Sequence, residues 1–540
     1  MYTQINKHMY KNNRVTRRYN EPFKLKSVKN ALFLFLIFSV ALIGCDKDDE
    51  RSLIPGIPLA ETYPPIFSSK YEPITSFVAK TNVTVEDLSL ISKVSYTINT
   101  KADNFAKPVK ATYTKEYLQN NDLYDSTKLE ISLPIIGLYH GYANTIDMDI
   151  EFTDGSVSSA TIIITTSTYS DSNSIYNNID FKKRKTVNEV LGYDYFYLKS
   201  AVNNVSPVVM DSDGEVRWVA DATLLRNQST IFDDTKFIIG SQNTNQIIHL
   251  DLLGNEKNYA IEEGLNFHHN IEKGKIGFLI EPDRNIVGDS TIESLIYEID
   301  EFGIKIKEWD MGKILSAVIE ADGEDPSNFV RNSTDINVKG KDWFHVNSAY
   351  YSSADNSLLI SSRENFVMKI DYDTNELIWL FGDKNKHWYV NYPSLQKYSI
   401  DLNFGNYPIG QHALSISKDG SLLLFNDGFK SFQNPPGTPA GLSLTYSAPI
   451  AYTINDSAKS ASVSWTFENN RAVYSRVCSS VYQASDGSHL IAYSIAYNSK
   501  AKIVGVDKSD NIVFDFEMPT NSCNTAWNAD IIDFENLIFE

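Results

Sequence analysis

The sequence predicts an all-β protein, a six-bladed β-propeller preceded by a small N-terminal β-sandwich. Three observations carry that expectation. A hairpin-like phrase recurs six times in the later part of the chain. Alternating strands with polar turns come before it. Histidines stand just before strands at three places within the recurring part. Helical periodicity is scarce, with Lys313–Ala321 the main candidate.

In chain order, residues 1–44 read as a lipoprotein signal peptide. Eight Lys and Arg precede the apolar run Ala31–Ile43, which is too short to span a bilayer. Leu42-Ile43-Gly44-Cys45 resembles the lipobox of bacterial lipoproteins, and the resemblance implies cleavage before Cys45 and its lipidation. The acidic stretch Asp46–Glu50 resembles the surface-export signal of Bacteroidota lipoproteins. The expected location is the bacterial cell envelope, as an outer-membrane lipoprotein on the periplasmic or the cell-surface side. Residues 45–65, charged and then Pro-rich, read as a tether.

Residues 66–170 carry the alternation of a β-sandwich, for example in Lys93–Asn99, Thr145–Phe152 and Ala160–Thr166. Residues 167–184 are polar and mark a boundary, and residues 185–540 hold the repeat. Its phrase is an apolar pair, an Asp or Asn, a polar turn, then a strand with an aromatic. It occurs as Val208–Trp218, Ile247–Tyr259, Leu295–Trp309, Val367–Trp379, Ile450–Phe467 and Ile503–Phe516. One such sheet cannot cover both of its faces, and radial packing buries them. The unequal gaps leave a seven-bladed propeller or a pair of sandwiches open.

The formal net charge is −19 despite the basic leader, a poor footprint for nucleic acid. Cys478 and Cys523 remain once Cys45 is set aside, so one disulfide or two buried thiols are open. No phosphate loop, dinucleotide fingerprint or nucleophile elbow appears, and no cofactor is implied.

The chemistry centres on the histidines. Phe267-His268-His269-Asn270, Trp343-Phe344-His345-Val346-Asn347-Ser348 and Gln411-His412-Ala413-Leu414 hold four of nine His. Inner strands of successive blades converge on the axis, so His269, His345 and His412 are expected to share a cavity. Asn347 should lie on the same strand face as His345, with Arg363 at the end of a neighbouring strand. Imidazoles beside a fixed positive charge suit transfer of an anionic tetra-oxygen group. His268 and His269, being adjacent, should point to opposite faces and not bind one ion, so no metal is expected. The insert 387–408, with Trp388 and Tyr407 among its aromatics, either grips an aromatic substrate or caps the core.

The blocks Trp343–Ser348, Asp355–Arg363, Val367–Asp371, Ile378–Gly382 and Gln411-His412-Ala413 resemble bacterial arylsulfate sulfotransferases, most strongly over 343–428. Gly137-Leu138-Tyr139-His140 and Asn144-Thr145 resemble that family's N-terminal domain. The resemblance implies a six-bladed propeller behind a β-sandwich, and sulfuryl transfer from a phenolic sulfate to a phenol without a nucleotide donor. It implies His412 as nucleophile, His345, Asn347 and Arg363 as holders of the sulfuryl oxygens, and His269 as a further contact. His268, Trp388 and Tyr407 are expected to touch substrate. The paired cysteines that some members carry before the nucleophile are absent, since residues 388–410 contain none. A cofactor-dependent propeller enzyme and a non-catalytic binding propeller stay open as rivals, as does a homodimer.

Overall fold

A short polar signal, an aspartate followed by a tight turn, organises each blade. The marker residues Asp211, Asp251, Asp300, Asp371, Asn455 and Asp507 all accept hydrogen bonds from backbone N–H groups two to four residues on. Such Asx turns close the outer hairpin of a blade at fixed register. The six phrases read in the sequence are these outer hairpins.

The computed structural model describes residues 56–171, 173–202, 205–220, 229–241, 245–335 and 338–540. The expected signal peptide, Cys45 and most of the tether lie outside the described residues. The tether ends earlier than expected. Leu59–Thr62 forms a short helix whose Leu59 N–H donates to Asp154 Oδ2 at 2.8 Å, and Leu59 is buried.

The N-terminal domain is a sandwich of two sheets. Strands Val78–Thr84, Ile91–Ile98 and Ala143–Phe152 alternate buried and exposed positions, as a half-buried pleat requires. Its second sheet is completed by the C-terminal strand Asn536–Phe539, parallel to Val109–Thr114. The sequence reading placed that strand in the propeller. Conversely, Asp180–Lys183, read as boundary, pairs with Ile512–Pro519 as an extra outer strand of the last blade.

Six further sheets of four or five strands make the blades among the described residues. Their inner strands are Ser229–Asp233, Leu265–Lys273, Val346–Ser352, His412–Ile416, Ser480–Gln483 and Asn528–Ile531. Each packs beside the next. Asn528–Ile531 pairs with Tyr195–Lys199, so the two ends of the repeat share the first blade. That pairing closes the ring, and the inner strands keep only short edges toward the axis. Apolar layers fill the gaps between blades, for example Ile238, Ile247, Ile271, Ile280 and Leu295. Arg217 locks the two domains. It is fully buried, pairs with Asp211 at 2.9 Å, donates to the Gly137 carbonyl at 2.7 Å, and lies 3.7 Å above the Tyr139 ring.

The long inserts cap the core. Asp310 caps the helix Met311–Ala321, and Leu315 and Ile319 bury against Trp343, Trp388 and Leu395. This corrects one expected substrate contact, Trp388. Trp388 is fully buried, edge-on to Phe366. Tyr407 packs on Phe381, and its hydroxyl accepts from the Leu402 N–H. Trp388 faces the protein interior, and Tyr407 is half-buried at the edge of the core.

Candidate active site

The inner strands enter the propeller with the same irregularity three times. Leu265–Lys273 slips register against Phe278–Ile286 between Phe267 and Ile271. Val346–Ser352 slips between Val346 and Ser348, and His345 just before it has φ 55°. His412–Ile416 slips between His412 and Ser415, with Ala413 at φ 52°. Each bulge breaks the two-residue alternation and re-aims side chains, as bulges beside active sites do. His268, His269 and His412 lie within these inner strands, and His345 immediately precedes one.

The bulges bring the imidazoles together. The His269 ring centroid lies 5.0 Å from that of His345 and 6.5 Å from that of His412. His268 stacks on His269 at 4.3 Å instead of pointing to the opposite face. The alternation argument against a shared ion therefore fails, because the bulge lets two neighbours face one side. Trp527, which precedes the ring-closing strand, packs on His269 at 5.2 Å.

His412 is buried. Its Nδ1 meets the Gly410 carbonyl at 3.0 Å in line, and Asp427 Oδ2 sits 2.7 Å away off that line. A proton on Nδ1 leaves the lone pair on Nε2. Burial, then the neighbouring His269 and the Arg363 charge, push His412 well below the usual histidine range. Burial likewise pushes the Asp427 carboxyl well up, against Arg363. His269 is driven down to about 3, by burial first and by His268 next. His345 goes the other way. Burial and Arg363 oppose its charge, but Glu293 and Asp342 outweigh them and hold it at about 9. Its Nδ1 lies 2.6 Å from Glu293 Oε2 and 2.7 Å from Asp342 Oδ2.

Arg363 follows the strand Ser357–Ser362, and its N–H donates to the His345 carbonyl at 3.1 Å. The guanidinium lies 3.9 Å over the Phe432 ring and against Glu364. Its Nη2 meets Glu364, while its buried Nε has no acceptor and stands as a charge-assisted donor for an anion. Glu364 in turn accepts from the N–H groups of Phe432 and Gln433, which pins the loop carrying Phe432. Asn347 donates to the Gln411 carbonyl at 2.7 Å, which ties one inner strand to the residue before His412 and leaves one amide N–H.

Glu293, Asp342 and Asp427 are the site residues the sequence reading missed. Glu293 touches His268 at 3.1 Å, His269 at 3.4 Å and His345. No motif marks it. Asn426 makes the turn after its strand by accepting from the Ile409 and Gly428 N–H groups, while Asp427 turns to His412. Two groups have the donor atoms to hold an ion, namely His268, His269 and Glu293, and Glu293, Asp342 and His345. Cys478 and Cys523 form a disulfide between the start of the sixth blade's inner strand and the segment leading to the ring-closing strand. No helix among the described residues is long and apolar enough to cross a membrane.

Residues 177–528 match the family described as arylsulfotransferase (ASST), and residues 70–167 match the arylsulfotransferase Ig-like domain. The chain is 21% identical over 504 residues to the arylsulfate sulfotransferase AssT of Escherichia coli O6:H1, covering 75% of this chain and 81% of that protein. It is 21% identical over 515 residues to the AssT of Lelliottia amnigena, covering 76% and 82%. Among solved structures, the β-propeller domain of Myceliophteria thermophila Cps50 (Swd1) aligns at TM-score 0.33 and 10% identity, covering 63% of this chain and 88% of that one.

Proposed function

The chain belongs to the arylsulfotransferase family, and on that premise we propose that it moves a sulfuryl group from a phenolic sulfate ester to an acceptor phenol by a ping-pong reaction through His412. The observation that carries the reading is a buried neutral imidazole with its Nε2 lone pair free, beside the buried Arg363 guanidinium, whose Nε has no acceptor.

His412 Nε2 attacks sulfur, and the sulfur–aryl-oxygen bond breaks. The leaving aryl oxygen takes the proton of His345, which becomes neutral. The acceptor phenol then attacks the N-sulfuryl sulfur and gives its proton to His345. The N–S bond breaks and the lone pair returns to His412. Through both steps Arg363, the remaining Asn347 N–H and His269 hold the sulfuryl oxygens, and Asp427 with the Gly410 carbonyl keeps the ring of His412 oriented. Glu293 and Asp342 act on His345 rather than on substrate.

The proton assignment has a signed consequence. The acid form of His345 is needed to expel a basic phenolate, so single-turnover donor cleavage should fall as pH rises through about 9. Glu293→Gln removes a charge that holds the proton and should move that fall to lower pH. A donor such as phenyl sulfate, followed by rapid quench, reads it. A rate that rises through the same pH contradicts the assignment of His345 as acid. The overall reading is tested by nitrophenolate release from 4-nitrophenyl sulfate, which should depend on an added phenol. Release unaffected by phenol in wild type would argue for hydrolysis instead.

The Leu42–Cys45 segment and its acidic follower support attachment to the outer membrane of the cell envelope through lipid on Cys45. Cys45→Ser should yield soluble protein or uncleaved precursor on fractionation. A processed, membrane-bound variant would exclude the anchor.

A further inference from the structure

We propose that His268, His269 and Glu293 form a binding site for a divalent transition-metal ion of the zinc type, which adjoins the sulfuryl-transfer residues and shares His269 and Glu293 with them. The two adjacent imidazoles are stacked, and both present Nε2 to the two oxygens of one carboxylate. His268 Nε2 is 3.1 Å from Glu293 Oε1, and His269 Nε2 is 3.4 Å from Glu293 Oε2. The second is longer than a good N–H···O hydrogen bond. The second matches the distance between neighbouring ligands of a tetrahedral ion, about 3.3–3.4 Å for metal–ligand bonds of about 2.0–2.1 Å, and the first is about 0.2 Å shorter. The third contact of Glu293, His345 Nδ1 at 2.6 Å, is too short for such an edge and stays a hydrogen bond.

Proton placement points the same way. Asp283 stands behind His268, its Oδ2 3.6 Å from Nδ1, and its other oxygen accepts from the Glu293 N–H at 2.7 Å. A carboxylate on the Nδ1 side is the usual outer partner of a metal-bound imidazole, and a small turn of the ring would bring Asp283 into that role and leave the lone pair on Nε2. That lone pair then faces a carboxylate oxygen at 3.1 Å. Two acceptors at that distance need a second proton or a cation between them. The donor set favours a cation of intermediate softness, because two imidazoles and one carboxylate are the ligands that zinc and cobalt share. Solvent reaches the site through His268, whose side chain is 28% exposed, and water can complete the coordination.

The test uses the full chain, stripped with chelator and titrated with Co(II), with ligand-field absorption as the readout and Zn(II) as competitor. The expected result is one ion per chain, displaced by zinc. His268→Ala should abolish the band; the partial exposure of this side chain makes the variant tolerable to the fold, which far-ultraviolet dichroism checks. Asp283→Asn should weaken binding by about 10- to 100-fold. His412→Ala should bind cobalt as wild type does, since that residue lies outside the ligand set. Absence of the band in wild type, an unchanged band in His268→Ala, or its loss in His412→Ala would each overturn the site.

Discussion

His412→Ala is expected to lose the covalent intermediate and nearly all turnover. No other side chain at that spot has a free, unprotonated nitrogen. His269 is neutral too, but it sits on another blade with its ring centroid 6.5 Å away, and its Nε2 faces Glu293. Removing the nucleophile of a covalent mechanism costs on the order of 10⁶ in turnover. The fold should survive, because the inner strand His412–Ile416 keeps its backbone pairing to Leu422–Asn426 and alanine creates only a small polar cavity. Asp427→Asn should cost less, since the Gly410 carbonyl still fixes the tautomer. Phenol-dependent nitrophenolate release, measured beside thermal unfolding, separates the chemistry from stability. Turnover near wild type in His412→Ala would remove the mechanism.

Arg363→Ala is the second large effect. Its guanidinium is buried, lies over the Phe432 ring, and keeps one donor, Nε, without an acceptor. Losing one preorganised donor to a developing anion costs about 10²–10³ in rate. Arg363→Lys should recover part of that loss only, because an ammonium keeps charge but cannot supply two parallel donors or stack on Phe432. The loss should fall on kcat for the donor half-reaction more than on KM, since the charge at the oxygens shifts during transfer. Equal turnover in the alanine and lysine variants would show that planarity and charge at this position are irrelevant to transfer.

The fold was legible where local chemistry sets it. Each outer hairpin announced itself through one Asp or Asn that accepts from its own turn, a signal contained within a few residues. The ring-closing strand Asn528–Ile531 and the sandwich strand Asn536–Phe539 pair with segments hundreds of residues away, and no local pattern points to them. His345 and His412 were legible because they open apolar strands. Glu293 was not, because its histidine partners come from other strands and it lies in no motif; Asp342, three residues before His345, stands just outside the block Trp343–Ser348. The adjacent His268 and His269 misled for a physical reason: a bulge cancels the alternation that strand reasoning assumes. Trp388 misled for another. An aromatic-rich insert looks alike whether it caps a core or lines a pocket, and here it caps.

The central claim is that the sulfuryl group rests on one nitrogen between the two half-reactions. Mass spectrometry of enzyme quenched after exposure to donor alone tests it most directly. The account predicts a sulfuryl mass addition on the peptide carrying His412, discharged when phenol is added before the quench and missing in His412→Ala. An addition mapped to another residue, or full transfer with no addition at any quench time, would contradict it.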